Sequence, residues 1–124
     1  MTEKSRREIG LEKIRDVYAG DVITPPEGYA FSDVMLEQLF AEIWTRDTLS
    51  MRDKRLLLLG IIAEKGDAAT FKIQAKASLK RGEMNADEAR ELLLFIAQYA
   101  GYPRAAAMLF PLEEAIAEAA ASAQ

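Results

Sequence analysis

Three of the side chains best suited to chemistry lie within five positions of one another. The segment FAEIWTRD, residues 40–47, contains Glu42, Trp44 and Arg46. A carboxylate buried beside an indole has a raised pKa and can transfer protons near neutrality. A planar guanidinium can bind a substrate carboxylate through two parallel hydrogen bonds. The segment predicts a site for a small carboxylated molecule, with Glu42 as catalytic acid or base, Arg46 as anchor and Trp44 as a pocket wall.

The same three residues also have an ordinary structural interpretation. If the helix continues, Glu42 and Arg46 stand four residues apart and form an ion pair worth about 0.3–0.5 kcal/mol. Asp47 offers Arg46 another partner, and a lone tryptophan after an apolar helix often packs in a core or an interface. Both interpretations stay open at the level of sequence.

A glutamine lies near the middle of the segment FKIQAKASLKRG, residues 71–82, which has the pattern of a helix with an apolar face. The amide of Gln74 donates and accepts hydrogen bonds but does not exchange protons near neutral pH. Gln74 can therefore hold a substrate oxygen but cannot act as an acid or a base. Lys72 and Lys76, two residues to either side, are expected to face solvent.

Tyrosines flank the turn in YAGYP, residues 99–103. The phenol of Tyr99 or Tyr102 can hydrogen-bond a developing oxyanion, and Tyr99 is assigned to the substrate-binding set. The alternative is that both rings pack and leave their hydroxyls in water.

Composition excludes several classes of function. The chain has 124 residues, which predicts a single domain over residues 1–124, and a net charge of −4, which argues against nucleic acid as a partner. It has no cysteine and no histidine, so disulfides, thiol redox chemistry and the commonest metal ligands are excluded. The carboxylates are spaced as at helix ends and solvated faces, so neither a metal nor another cofactor is expected.

The sequence also argues against a membrane as a partner. The longest strongly apolar run, residues 56–63, is far shorter than the roughly 20 residues that a bilayer span needs. The first residues are polar and charged and show no secretory signal. We therefore expect a cytoplasmic protein.

Hydrophobic spacing and turn residues predict an all-α bundle of about six helices and no strands. Ser32 or Asp33 is the expected cap of the second helix, Ser50 the start of the third, and Asn85 with Glu88 a capping box for the fifth. The predicted helices begin near residues 3, 33, 50, 67, 85 and 104. The third and fifth are apolar around most of their circumference. They lie either at the centre of the bundle or against another subunit, so we expect a homo-oligomer.

Four segments together resemble the carboxymuconolactone decarboxylase family. They are GLEKIRDVYAGD, FAEIWTRDTLSMRDKRLLLLGIIA, FKIQAKASLKRG and ARELLLFIAQYAGYPRAAAM, in the order and spacing of the family over roughly residues 6–112. The most specific pieces are the E-x-W-x-R segment and the YAGYP turn. The resemblance implies an alkylhydroperoxidase-D-like all-α fold, built from interlocked dimers that commonly assemble into trimers or hexamers.

The resemblance leaves the reaction undecided because the family has two chemical branches. The peroxidase branch uses two cysteines, a histidine and an upstream glutamate, whose positions here hold Asp67, Thr70, Gln74 and Arg55. Without a thiolate a peroxidase is rejected. Gln74, at the position that resembles the family's histidine, joins Glu42 in the predicted catalytic set. The decarboxylase branch implies a cofactor-independent lyase or isomerase acting on a small carboxylated molecule or lactone. The alternatives are a relative without catalysis that keeps an oligomeric scaffold or a small-ligand pocket, and a purely structural protein.

Overall fold

The computed structural model describes residues 3–123, and that part of the chain contains six α-helices, one π-helix and no strand. The elements are α1 (Arg6–Val17), α2 (Ala30–Val34), the π-helix (Met35–Ile43), α3 (Met51–Lys65), α4 (Ala68–Lys80), α5 (Ala86–Ala100) and α6 (Tyr102–Ser122). This confirms the predicted all-α fold. No helix within residues 3–123 is long and apolar enough to cross a bilayer.

The helices form two compact units, one up to Met51 and one from Arg52 onward. In the first unit α1 and α2 pack against the π-helix. The buried apolar side chains of this unit are Ile14, Val17, Leu36, Phe40 and Trp44. A single domain over residues 1–124 stays a prediction, because each unit is compact by itself.

A glycine of α1 allows a close approach between α1 and the π-helix. A Cβ atom built on Gly10 would lie 2.0 Å from the carbonyl oxygen of Leu36 and 2.6 Å from its carbonyl carbon. Only a residue without a side chain allows the two backbones to pack this closely.

The start of α2 differs from the prediction. The helix begins at Ala30, and its N-cap residue Tyr29 makes no side-chain capping bond, so capping by Ser32 or Asp33 is wrong. Asp33 instead accepts hydrogen bonds from the Arg7 guanidinium and from the backbone N–H of Gly28, each at 2.9 Å. The bond from Arg7, followed by that from Gly28, lowers the pKa of the Asp33 carboxyl. The Asp33 carboxylate therefore bonds to Arg7 and Gly28 instead of capping α2.

The π-helix was not predicted. At its end the N–H of Trp44 bonds to the carbonyl of Leu39, five residues earlier, at 2.9 Å. The rings of Phe40 and Trp44 stack with centroids 6.3 Å apart and planes within 5° of parallel. The ring of Tyr18, at the end of α1, lies 6.3 Å from that of Phe40. The aromatic side chains of the π-helix therefore pack against the end of α1.

The second unit has the larger core, in which α6 packs against both α4 and α5. The buried residues of its core cluster are Leu59, Ile62, Ala63, Phe71, Ala75, Met84, Ala89, Leu93, Ala97, Ala105, Met108, Leu112 and Ala115. The predicted capping box is confirmed, since Asn85 accepts from the Glu88 N–H and Glu88 accepts from the Asn85 N–H. Gly82 follows α4 with φ of +72°, the left-handed conformation expected of it.

Ion pairs join α4 to α6 at the surface. Lys72 contacts Glu114 at 3.0 Å and Glu118 at 2.7 Å, and Lys76 contacts Glu118 at 3.3 Å. These bonds raise the pKa of Lys72, chiefly through Glu118, and lower the pKa of Glu118, chiefly through Lys72. The two lysines that flank Gln74 along the chain therefore hold helices together at the protein surface.

Candidate functional site

A buried polar cluster lies in the second unit and is made of Arg55, Gln74 and Glu83. The Arg55 side chain is fully buried, and its guanidinium binds the Glu83 carboxylate through two bonds, Nε to Oε1 at 2.9 Å and Nη2 to Oε2 at 3.2 Å. Its Nη1 donates to Oε1 of Gln74 at 2.5 Å. The Glu83 carboxylate and the Gln74 amide oxygen both help to compensate the positive charge, as a buried cation requires.

Three different elements bring the polar cluster together. Arg55 comes from α3, Gln74 from α4, and Glu83 from the turn after Gly82. Both backbone polar groups of Glu83 are hydrogen-bonded. The Glu83 N–H donates to the Ser78 carbonyl at 3.0 Å, and the Glu83 carbonyl accepts from Arg52 Nε at 2.9 Å. The cluster therefore ties the end of α4 to α3.

Glu83 is the residue on which sequence reasoning failed most clearly. Its carboxylate is one of those whose spacing predicts a helix end or a solvated face, yet its side chain is only 6% exposed and also accepts from Arg81 Nε at 2.7 Å. Local pattern assigns Arg55 no role beyond its place at the glutamate position of the resembling family. The signal in the sequence is that Arg55 stands directly before the apolar run of residues 56–59. An arginine buried together with such a run requires a charged partner.

Glu42 is exposed rather than buried. Its side chain is 57% exposed, and the carboxylate pairs with Arg6 of α1 at 2.9 Å. Arg6 also donates to the carbonyl of Glu37 at 2.8 Å. Together with Val34 and Gln38 these residues line a shallow surface groove of about 330 Å³. The prediction that Glu42 is buried beside Trp44, on which its acid–base role depends, is therefore wrong.

The other predicted site residues are divided between the two units. Trp44 is buried at the end of the π-helix and Arg46 is exposed just after it, both in the first unit with Glu42. Gln74 and Tyr99 belong to the second unit, where Tyr99 is exposed and its ring lies 5.5 Å from that of Phe95. A shared site of these five residues stays a prediction.

Comparison with known proteins assigns the family. The sequence model of the carboxymuconolactone decarboxylase family matches residues 30–114. The chain belongs to the carboxymuconolactone decarboxylase family. No curated protein and no solved structure gives a significant match.

In this carboxymuconolactone decarboxylase family member, the positions that resemble those of the peroxidase branch have structural roles. Asp67 is the N-cap of α4, accepting from the Thr70 N–H at 3.0 Å and from the Thr70 hydroxyl at 2.6 Å. The hydroxyl bond and then the N–H bond lower the pKa of Asp67. Arg55 and Gln74, at the glutamate and histidine positions, are bonded to each other. All four side chains stabilise the local fold.

A histidine restored at position 74 is expected to be a poor proton carrier. In the Gln74→His variant, burial and the adjacent Arg55 guanidinium both disfavour the imidazolium, so its pKa should fall below the ordinary value of about 6.5. The chain contains no other histidine, so an NMR titration of the ring protons observes this group alone. Gln98→His on the exposed face of α5 is the control and should titrate near the ordinary value. A pKa at or above that value in Gln74→His would mean that Glu83, rather than Arg55 and burial, controls the position.

Proposed function

We propose that this family member is a self-associating protein without catalysis at position 74. The observation that carries the proposal is the buried polar cluster, in which the Gln74 carbonyl oxygen is already bonded to Arg55. An amide cannot carry a proton, and a guanidinium stays protonated at any ordinary pH. Neither of these two positions can therefore supply the acid–base group that protonation of an enolate needs.

The exposed apolar surface of the second unit supports self-association. α3 and α5 border an open groove of about 1020 Å³ whose floor includes Leu56, Gly60 and Leu92. Leu57 and Ile61 on α3 are more than half exposed at this groove, and Phe95 on α5 is 66% exposed. Large contiguous apolar patches on a small protein mark interaction sites, because covering them releases about 25 cal/mol per Å². A second copy of the chain is the proposed cover, in line with the predicted homo-oligomer.

A second candidate function is retained for the first unit. π-helical turns are rare and are frequent at functional sites, and this one ends beside Glu42, Trp44 and Arg46. Glu42 and Arg6 present one negative and one positive group at the surface groove that they line. The second candidate is a cofactor-independent lyase or isomerase, or a binding protein, for a small carboxylated molecule or lactone, with Arg46 as the anion anchor.

One pair of measurements separates the two candidates. Sedimentation velocity of the purified chain is expected to show an oligomer, and thermal denaturation is expected to be unchanged by a panel of small lactones, keto acids and aromatic acids. A ligand that binds the native state stabilises it by about 2.7 kcal/mol at a hundredfold excess over Kd, so binding would be readily seen. Stabilisation or turnover that disappears in Glu42→Gln or Arg46→Ala would establish the second candidate. A monomer at all concentrations would contradict the first.

A further inference from the structure

One stripe of α3 has a charge pattern that is complementary to itself. Lys54, Leu57, Ile61 and Glu64 are spaced by three, four and three residues, so they follow one face of the helix. The two apolar members are exposed at the groove between α3 and α5. The stripe is therefore apolar at its centre, basic at its N-terminal end and acidic at its C-terminal end.

An antiparallel two-fold arrangement matches this stripe to that of a second copy. If Leu57 lies opposite Ile61 of the second copy, then Lys54 lies opposite Glu64. The neighbouring charges agree, because the same register places Asp53 opposite Lys65. Every contact occurs twice, as a two-fold interface requires.

One-residue shifts of this register bring like charges together. A shift of one residue in one direction places Asp53 opposite Glu64, and a shift in the other direction places Lys54 opposite Lys65. A parallel arrangement would place each charge opposite itself. Like charges at close range are unfavourable, so the charge pattern favours the register with Leu57 opposite Ile61 over these alternatives.

A glycine beside the stripe fits a closely packed partner helix. A Cβ atom on Gly60 would meet nothing within 4 Å in the chain, although a glycine inside a helix costs about 0.5–1 kcal/mol relative to alanine. Absence of a side chain there lets the backbone of a second helix approach. Phe95 of α5 borders the same groove and would pack against the side of that helix.

We propose that α3 forms a homodimer contact in which it packs antiparallel against α3 of a second copy, with Leu57 opposite Ile61 and Lys54 opposite Glu64. This inference rests on the proposed self-association and adds its surface, orientation and register. The occupant of the groove between α3 and α5 is accordingly the α3 helix of an identical chain.

A charge exchange tests this register. Lys54→Glu and Glu64→Lys each place like charges opposite one another at two symmetric contacts, so each should raise the dimer dissociation constant about tenfold. The double variant restores opposite charges and should return the constant to within about threefold of the original. Analytical ultracentrifugation gives the constants, and far-UV circular dichroism verifies that each variant is folded. Asp87→Lys is the control for charge, because the Asp87 side chain is 97% exposed and lies outside the groove lining.

The possible results separate this inference from the proposal beneath it. Weakened association in both single variants with recovery in the double variant supports the register. A wild-type oligomer whose association is unaffected by the single variants, or is not recovered in the double variant, overturns the register and leaves self-association intact. A wild-type chain that stays monomeric overturns both.

Discussion

Glu83→Gln is expected to lower the free energy of unfolding by about 3–5 kcal/mol. The substitution keeps the shape of the side chain but removes the negative charge that matches the fully buried Arg55. An uncompensated guanidinium in the protein interior is strongly unfavourable, and Arg81 would then add a second cation beside a neutral amide. Urea denaturation followed by circular dichroism measures the loss.

The matched control is the same substitution at the surface. Glu113 accepts two hydrogen bonds from Arg90, at 2.9 and 2.8 Å, but its side chain is 41% exposed. Water compensates both groups when such a pair is broken, so Glu113→Gln should cost only a small fraction of the loss expected for Glu83→Gln. Equal losses in the two variants would show that burial does not make the Arg55 pair different. Replacing Arg55, Gln74 and Glu83 together by leucine or methionine should recover most of the stability.

Gly10→Ala is expected to destabilise the first unit by about 1–3 kcal/mol. The added methyl group would overlap the Leu36 carbonyl, and a backbone group of the π-helix cannot rotate away as a flexible side chain could. α1 must therefore move outward and lose contact with the core around Phe40. Urea denaturation monitored by the fluorescence of Trp44, the single tryptophan, reports on this unit directly.

Gly60→Ala is the matched control for this prediction. Gly60 also lies inside a helix, but its added Cβ meets nothing within 4 Å. Alanine restricts the unfolded chain, so within the isolated chain this variant should gain about 0.4–1 kcal/mol. Denaturation at two protein concentrations, followed by far-UV circular dichroism, separates this gain from any change in association. Opposite signs are expected for the two variants, and a loss at Gly60 within the isolated chain would contradict the steric explanation at Gly10.

Local sequence was enough to predict most of the helices. The capping box of Asn85 and Glu88 involves residues three apart, and the end of α4 at Gly82 depends on the conformation of one residue. The family resemblance also rested on contiguous segments, and the family match over residues 30–114 confirms it. These features need only neighbours along the chain, so their physics is contained in short stretches of sequence.

The polar contacts of the candidate site depended on the tertiary structure. Arg55 meets Gln74 and Glu83 across 19 and 28 residues, and Glu42 meets Arg6 across 36. A carboxylate with the spacing of a surface residue became the buried one, and a carboxylate beside an aromatic residue became the exposed one. Charge pairing follows distance in space, which helix packing determines and sequence spacing does not. Composition and local pattern therefore determined the helices and excluded thiol chemistry, whereas packing decided which charges are buried and which are exposed to solvent.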